Sequence, residues 1–191
     1  MDPAGFLAFT EIIMSVFPPV SEDISRAFIQ QSRAQLTDEY RPKILACLGK
    51  LSEQDVWWSP NPASNSVGNL ILHLCGNARQ WIVASIEGHH DIRLRSAEFA
   101  ANGEFEKAML SALLETTLQD VDSVLASLEL SALIEKRQVQ GFEMTVMQAI
   151  YHVVEHFSGH TGQITYITKM RVAQDLGLYR AAPDGSVTTT W

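Results

Sequence analysis

The chain has 191 residues, enough for one domain with a core that needs no disulfide or metal staples. Hydrophobic residues make up 46%, an ordinary globular share, and the net charge is −8, from 14 basic against 22 acidic side chains. That balance argues against general nucleic-acid binding, which needs a basic face to neutralise phosphates, and gives no support for docking on an anionic membrane.

The chain opens on a fairly apolar run, Phe6 to Val20. Asp2 and Glu11 are acidic, no basic stretch precedes the run, and Pro18-Pro19 closes it. It is a poor signal peptide and too short for a membrane span. Residues 1–20 read as a leader or short docking helix, residues 21–176 as the folded unit, and residues 177–191 as an exposed tail. The first long helix is expected from about Glu22 to Leu51, with Ser21 as N-cap and Glu22 and Asp23 at the positive end of its dipole. Pro42 should kink or split it near Tyr40-Arg41, because proline lacks an N–H and clashes with the preceding turn. Trp57 to Pro62 reads as a loop.

A second helix is expected from about Ser66 to Glu87, with Val67, Leu70, Ile71, Leu74, Trp81 and Ile82 on its apolar face. A polar connection follows, from about Asp91 to Gly103. The third helix spans about Phe105 to Leu128, and residues 135–143 suit an extended connector. The fourth runs from about Thr145, a candidate cap, to Ala173. Four helices of this length make an all-α four-helix bundle. Cys47 and Cys75 sit in apolar, helix-like stretches without a CxxC pair, as reduced core thiols of a soluble, cytoplasmic protein would.

Chemistry concentrates in the fourth helix. His152, His156 and His160 follow one another at four-residue spacing, so their imidazoles share one helix face. Neutral imidazole is a common metal ligand. The first and third lie about 12 Å apart along the axis, whereas metal–nitrogen bonds are about 2 Å. One metal would therefore take His152 with His156, or His156 with His160. A third ligand must come from elsewhere. His89 and His90 read as loop residues, while His73 is embedded among apolar residues of the second helix. Burying that imidazole needs a partner, either a backbone carbonyl or a metal in the bundle core.

The segments Ser66-Val67-Gly68-Asn69-Leu70-Ile71-Leu72-His73-Leu74-Cys75-Gly76-Asn77 and His156-Phe157-Ser158-Gly159-His160-Thr161-Gly162-Gln163-Ile164 together resemble the DinB/YfiT-like superfamily of metalloenzymes. The resemblance covers about residues 22 to 175. It implies a four-helix bundle of up-down-down-up topology, often a homodimer. It further implies a divalent metal ion (Zn, Ni or Fe) held by His73, His156 and His160, since the family's HxxxH pair is followed by Gly-Gln, here Gly162-Gln163. His152 then falls outside the triad or lines the pocket.

Asn77, one turn beyond His73, could face the same cavity, and Gln163 could support the ligands from behind. Tyr151 and Glu155 are further candidates for polar contacts. Cys75 lies about 200° around the helix from His73 and should point away. Trp57, Trp58 and Trp81 suit either a pocket mouth or packing where helix ends meet. Three imidazoles leave a metal open positions, as catalytic sites do. By resemblance, the expected activity is a metal-dependent transferase acting on a small-molecule substrate with a low-molecular-weight thiol. A non-catalytic metal-binding or stress-related bundle is the alternative reading. So is a metal-assisted hydrolase, with Glu155 of the HxxEH string His152 to His156 as base.

Overall fold

The computed structural model describes residues 20–190, and the reading of a leader in residues 1–20 lies almost wholly outside them. Among the described residues, four long helical rods carry the fold. The first consists of α1 (Val20–Ala34), a π-helical turn (Gln35–Tyr40) and α2 (Arg41–Lys50). The wide turn sits just ahead of Pro42, where the proline ring would otherwise meet the carbonyl of Asp38, so the chain stays helical past the proline and is not split there. A short α3 (Glu53–Val56) follows, capped by Ser52.

The second rod is α4 (Val67–Ala78), a π-helical turn (Arg79–Ala84) and α5 (Ser85–Glu87), which ends on Gly88 in the left-handed conformation. A six-residue helix, α6 (Arg95–Ala100), lies inside the stretch read from sequence as a polar connection. The third and fourth rods are α7 (Lys107–Ala126) and α8 (Val146–Val172). Both α4 and α8 begin on capping boxes, Ser66 with Asn69 and Thr145 with Gln148, which satisfy N–H groups the helix leaves unpaired.

Residues 135–143, expected to be an extended connector, lie in a hairpin that runs two residues farther, β1 (Lys136–Val139) with β2 (Phe142–Thr145). Its turn, Gln140-Gly141, has positive φ at both residues, as a tight hairpin requires. Residues 177–190, read as a tail, carry a second exposed hairpin, β3 (Tyr179–Ala181) with β4 (Val187–Thr189). Leu176 and Leu178 anchor its base in the core.

Side-chain contacts between rods give the topology. The first and fourth rods run parallel, since Cys47 meets Thr165 at 3.8 Å and, just past the first rod's end, Asp55 of α3 meets Arg171 farther along the fourth at 2.6 Å. The second and third are parallel too, with Trp57 Nε1 donating to the Phe105 carbonyl in the segments leading into them and Arg79 Nε donating to Thr117 Oγ1 farther along both. The first and third are antiparallel, through Arg33–Asp122 and Lys107 with the Leu51 carbonyl. The second and fourth are antiparallel, through Asn77–His152 and His73–His156. The order is up-down-down-up. Leu36, Ile44, Leu48, Leu70, Ile71, Leu74, Leu110, Leu114, Leu118 and Phe157 fill the centre, each contributing about 1.5–3 kcal/mol of apolar burial. Cys47 and Cys75 are both buried free thiols. No described helix is long and apolar enough to cross a membrane.

Candidate metal centre

The antiparallel contact between α4 and α8 brings His73 against His156 and His160. One ring nitrogen from each lies within 4.8 Å of the others. His73 Nε2 and His156 Nε2 are 2.9 Å apart, and the ring centroids of His156 and His160 are 4.4 Å apart. Metal–nitrogen bonds of about 2.1 Å need ligand nitrogens about 3.0–3.4 Å apart, so small side-chain rotations would close the set.

The outer face of each flanking ligand is fixed by an oxygen. His73 Nδ1 lies 2.9 Å from Glu98 Oε2. Burial works to raise the Glu98 pKa, but hydrogen bonds from Arg93 and His73 outweigh it, and the carboxyl sits below its ordinary range. The ionised carboxylate can only accept, so His73 donates from Nδ1 and turns the lone pair of Nε2 inward. The approach of Arg93 Nη2 to His73 Nδ1, at 3.0 Å, is then not a hydrogen bond, because both groups are donors. His160 Nδ1 similarly donates to Gln163 Oε1 at 2.7 Å, which leaves Nε2 free. This carboxylate or amide oxygen behind a histidine is how metal sites orient their ligands.

Burial first, and then the neighbouring rings of His160, His73 and His152, pushes the His156 pKa down to about 3. Burial also lowers that of His160, against the Gln163 hydrogen bond that raises it. The neutral imidazole is the ligating form. His73 and His160 already turn a lone pair inward, and His156, 2.9 Å from His73 through Nε2, can present its own to the same point once a cation replaces the proton shared between them. The donor set therefore fits a divalent metal.

Glu98 itself is held by a buried framework. Arg93 and Glu98, with side chains 4% and 10% exposed, form a two-point ion pair of 2.7 and 2.8 Å. Arg93 also donates to Gln80 Oε1. The amide of Asn69, the capping residue of α4, donates to the carbonyls of Glu98 and Ala101 at the end of α6. Those carbonyls have no partner within so short a helix, and Asn69 thereby fixes α6 to α4. Gly76 permits the approach, since a Cβ there would lie 2.0 Å from Glu98 Oε1. Phe99, also from α6, packs on the His73 ring at 4.7 Å between centroids.

The remaining candidates separate. His152 stays outside the triad. Its ring stacks on Trp81 at 3.9 Å, and its Nε2 meets Asn77 Nδ2 at 3.2 Å, so Asn77 serves His152 and not the triad. Burial lowers the His152 pKa despite the nearby Glu155 carboxylate. His152, Glu155, His156, Gly159, His160 and Gln163 line a shallow cleft of about 400 Å³. Gly159 leaves open space over the imidazoles, for a Cβ there would meet nothing within 4 Å. Tyr151 does not line the cleft and is 61% exposed. Cys75 is buried away from the triad, and burial pushes its thiol up to about 12. Trp57 covers Gly68, and Trp58 stacks against Arg171, packing where helix ends meet.

Glu98, Arg93 and Phe99 were not singled out in the sequence. Gly76 was the available signal. A glycine inside an apolar helix costs about 1 kcal/mol relative to alanine, and a close approach is the usual reason for one.

A family model described as "Protein of unknown function (DUF1572)" matches residues 23–180. No curated protein matches the chain. Solved structures do. The conserved protein of a locus from Enterococcus faecalis is 17% identical with a TM-score of 0.66, covering 76% of this chain and 97% of that one. A DinB-like protein, YjoA, from Bacillus subtilis is 16% identical at TM-score 0.59, covering 76% and 94%. A DinB-like protein from Bacillus cereus is 12% identical at TM-score 0.59, covering 76% and 91%. At these identities the likeness concerns the fold.

Proposed function

The chain belongs to the DUF1572 family, a DinB-like family, and on that premise we propose that it is a metal-dependent enzyme. His73, His156 and His160 would hold one divalent cation, and the reaction would transfer a low-molecular-weight thiol to an electrophilic small molecule. The observation that carries this reading is the convergence of three imidazole nitrogens within 4.8 Å, two of them turned inward by Glu98 and Gln163.

Three protein ligands leave a cation with open positions, and when bound it would supply Lewis acidity that lowers the pKa of a thiol brought there. The chain's own residues do the rest. The Glu98–His73 and Gln163–His160 hydrogen bonds hold the ligand rings in one orientation. The cleft over Gly159 gives a small substrate access from solvent. Glu155 is the carboxylate lining that cleft, and it would accept the thiol proton as the sulfur–carbon bond forms and the acceptor's bond to its leaving group breaks, that group departing as an anion into the open cleft. The trapped pair of His73 and Glu98 is too buried for that task.

The test uses untagged full-length protein loaded with Zn²⁺, Ni²⁺ or Fe²⁺. Cysteine and glutathione are each offered with an aryl halide acceptor, and conjugation is followed by absorbance. Metal-dependent turnover that disappears in His73→Ala supports the reading. Tight metal binding without thiol turnover would overturn the transferase assignment and leave a metal-binding bundle.

A further inference from the structure

The segment between α5 and α6 inverts the usual burial pattern. In Ile92-Arg93-Leu94 the arginine points inward, with its side chain 4% exposed, while Ile92 and Leu94 are 85% and 73% exposed. Alternation in an extended segment puts the two aliphatics on one side and the arginine on the other. Leaving both aliphatics in water forgoes burial that would stabilise the fold. The inversion is explained if something apolar covers them.

Both stand at the rim of a cavity of about 440 Å³, within the size range of small-molecule sites. Arg93 and Glu98 form part of its wall, and it shares no lining residue with the imidazole cleft. Its floor and walls include Leu72, Val83, Phe105 and Leu113, with the buried, protonated thiol of Cys75.

Apart from His90 at the mouth, the polar groups of the wall are engaged with one another or with neighbours. Arg93 is paired with Glu98, Arg79 with Asp120, and His89 with Glu87. Gln80 gives its amide to Asp91 and receives Arg93 and Gln140. Asp91 Oδ1 also accepts from the Arg93 backbone N–H. An ionic ligand would have to break one of these pairs, and a ligand bristling with donors would find few free acceptors.

We propose that this cavity is a binding site for a neutral, largely apolar small molecule, an aromatic or branched hydrocarbon body seated under Ile92 and Leu94. Occupancy covers the two aliphatics and leaves the Arg93–Glu98 pair intact. The site touches the framework behind His73 through Arg93 and Glu98 and does not rest on metal chemistry.

The test compares 1-naphthalenemethanol, neutral, with 1-naphthoate, an anion of similar shape, by fluorescence or calorimetric titration of the full chain. The neutral probe should bind, and the anion should bind about tenfold more weakly or worse. Ala97→Trp, which fills the cavity from an exposed position of its lining, should weaken the neutral probe about tenfold. If that variant does not fold, the rim pair Ile92→Ser with Leu94→Ser, both highly exposed, serves instead and should weaken it similarly. His160→Ala should leave binding unchanged. Equal binding of the two probes, or binding indifferent to the fill and rim variants, would overturn the proposal. So would sedimentation showing that wild-type chains associate through this face and the rim variant separates them, which would give the aliphatics to a second copy.

Discussion

Replacing Gly76 by alanine sets two physical effects against each other. By helix propensity alone, Gly76→Ala in α4 should stabilise the protein by about 1 kcal/mol. The structure predicts the opposite sign. The new methyl would stand 2.0 Å from Glu98 Oε1 and 3.0 Å from Arg93 Nε. Side-chain ends often swing away from such clashes at little cost, but this carboxylate is pinned. It accepts two bonds from Arg93 at 2.7 and 2.8 Å and one from His73 at 2.9 Å, in a buried setting. Reaching an ordinary contact distance means moving more than about 1 Å, which breaks at least two charge-assisted hydrogen bonds worth about 1.5–3 kcal/mol each. Set against the propensity gain, the net loss is about 2–5 kcal/mol. For a chain of this size that lowers Tm by roughly 4–20 °C. Calorimetry and urea unfolding of metal-free protein would measure it. A variant as stable as wild type, or more so, would refute the argument that Gly76 exists to admit the Glu98 carboxylate.

Further outcomes follow from the same geometry. Glu98→Ala leaves Arg93 buried without its partner, so the metal-free protein should lose about 3–5 kcal/mol, and metal affinity measured by competition with a chelator should fall about 10–100-fold. The pKa values of His152, His156 and His160 are lowered by burial, so these rings stay neutral in the fold while the unfolded chain takes up protons. Glu98, also lowered, acts in the same direction. Stability of metal-free protein should therefore fall as pH drops from the ordinary histidine value of 6.5 towards about 3, and His156→Gln should flatten that slope in urea titrations. Zn²⁺ at a hundred times its Kd should add about 2.7 kcal/mol, raising Tm by roughly 5–11 °C. That gain should vanish in His73→Ala, His156→Ala and His160→Ala and persist in His152→Ala.

The rods were legible because their signals are local. Ser66 and Thr145 stand where the capping boxes form, and the apolar stripes beside them repeat at helical spacing. The shared face of His152, His156 and His160 follows from periodicity, and so does the need for a ligand from another rod. Which pair is joined, and by which partner, depends on α4 and α8 meeting antiparallel, and no spacing within either helix encodes that. The resemblance to a known family supplied it. Pro42 announced a bend, but the wide turn preceding it depends on packing of the whole first rod. The short helix α6 escaped notice because six residues with little apolar periodicity are held by Asn69, about thirty positions upstream in sequence, and not by their own propensity. Glu98 and Arg93 thus looked like solvated connector charges. Gln140-Gly141 gave a hairpin without the Asn-Gly or Asp-Gly pair that usually marks one.

X-ray absorption spectroscopy on untagged, metal-loaded protein tests the central claim most directly. The account predicts one divalent ion per chain with three imidazole nitrogens at about 2.1 Å and the remaining positions filled by light solvent-derived atoms. One imidazole should be lost from that shell in His73→Ala. A shell with fewer than three imidazoles, any sulfur from Cys47 or Cys75, or an unchanged spectrum in His73→Ala would contradict it.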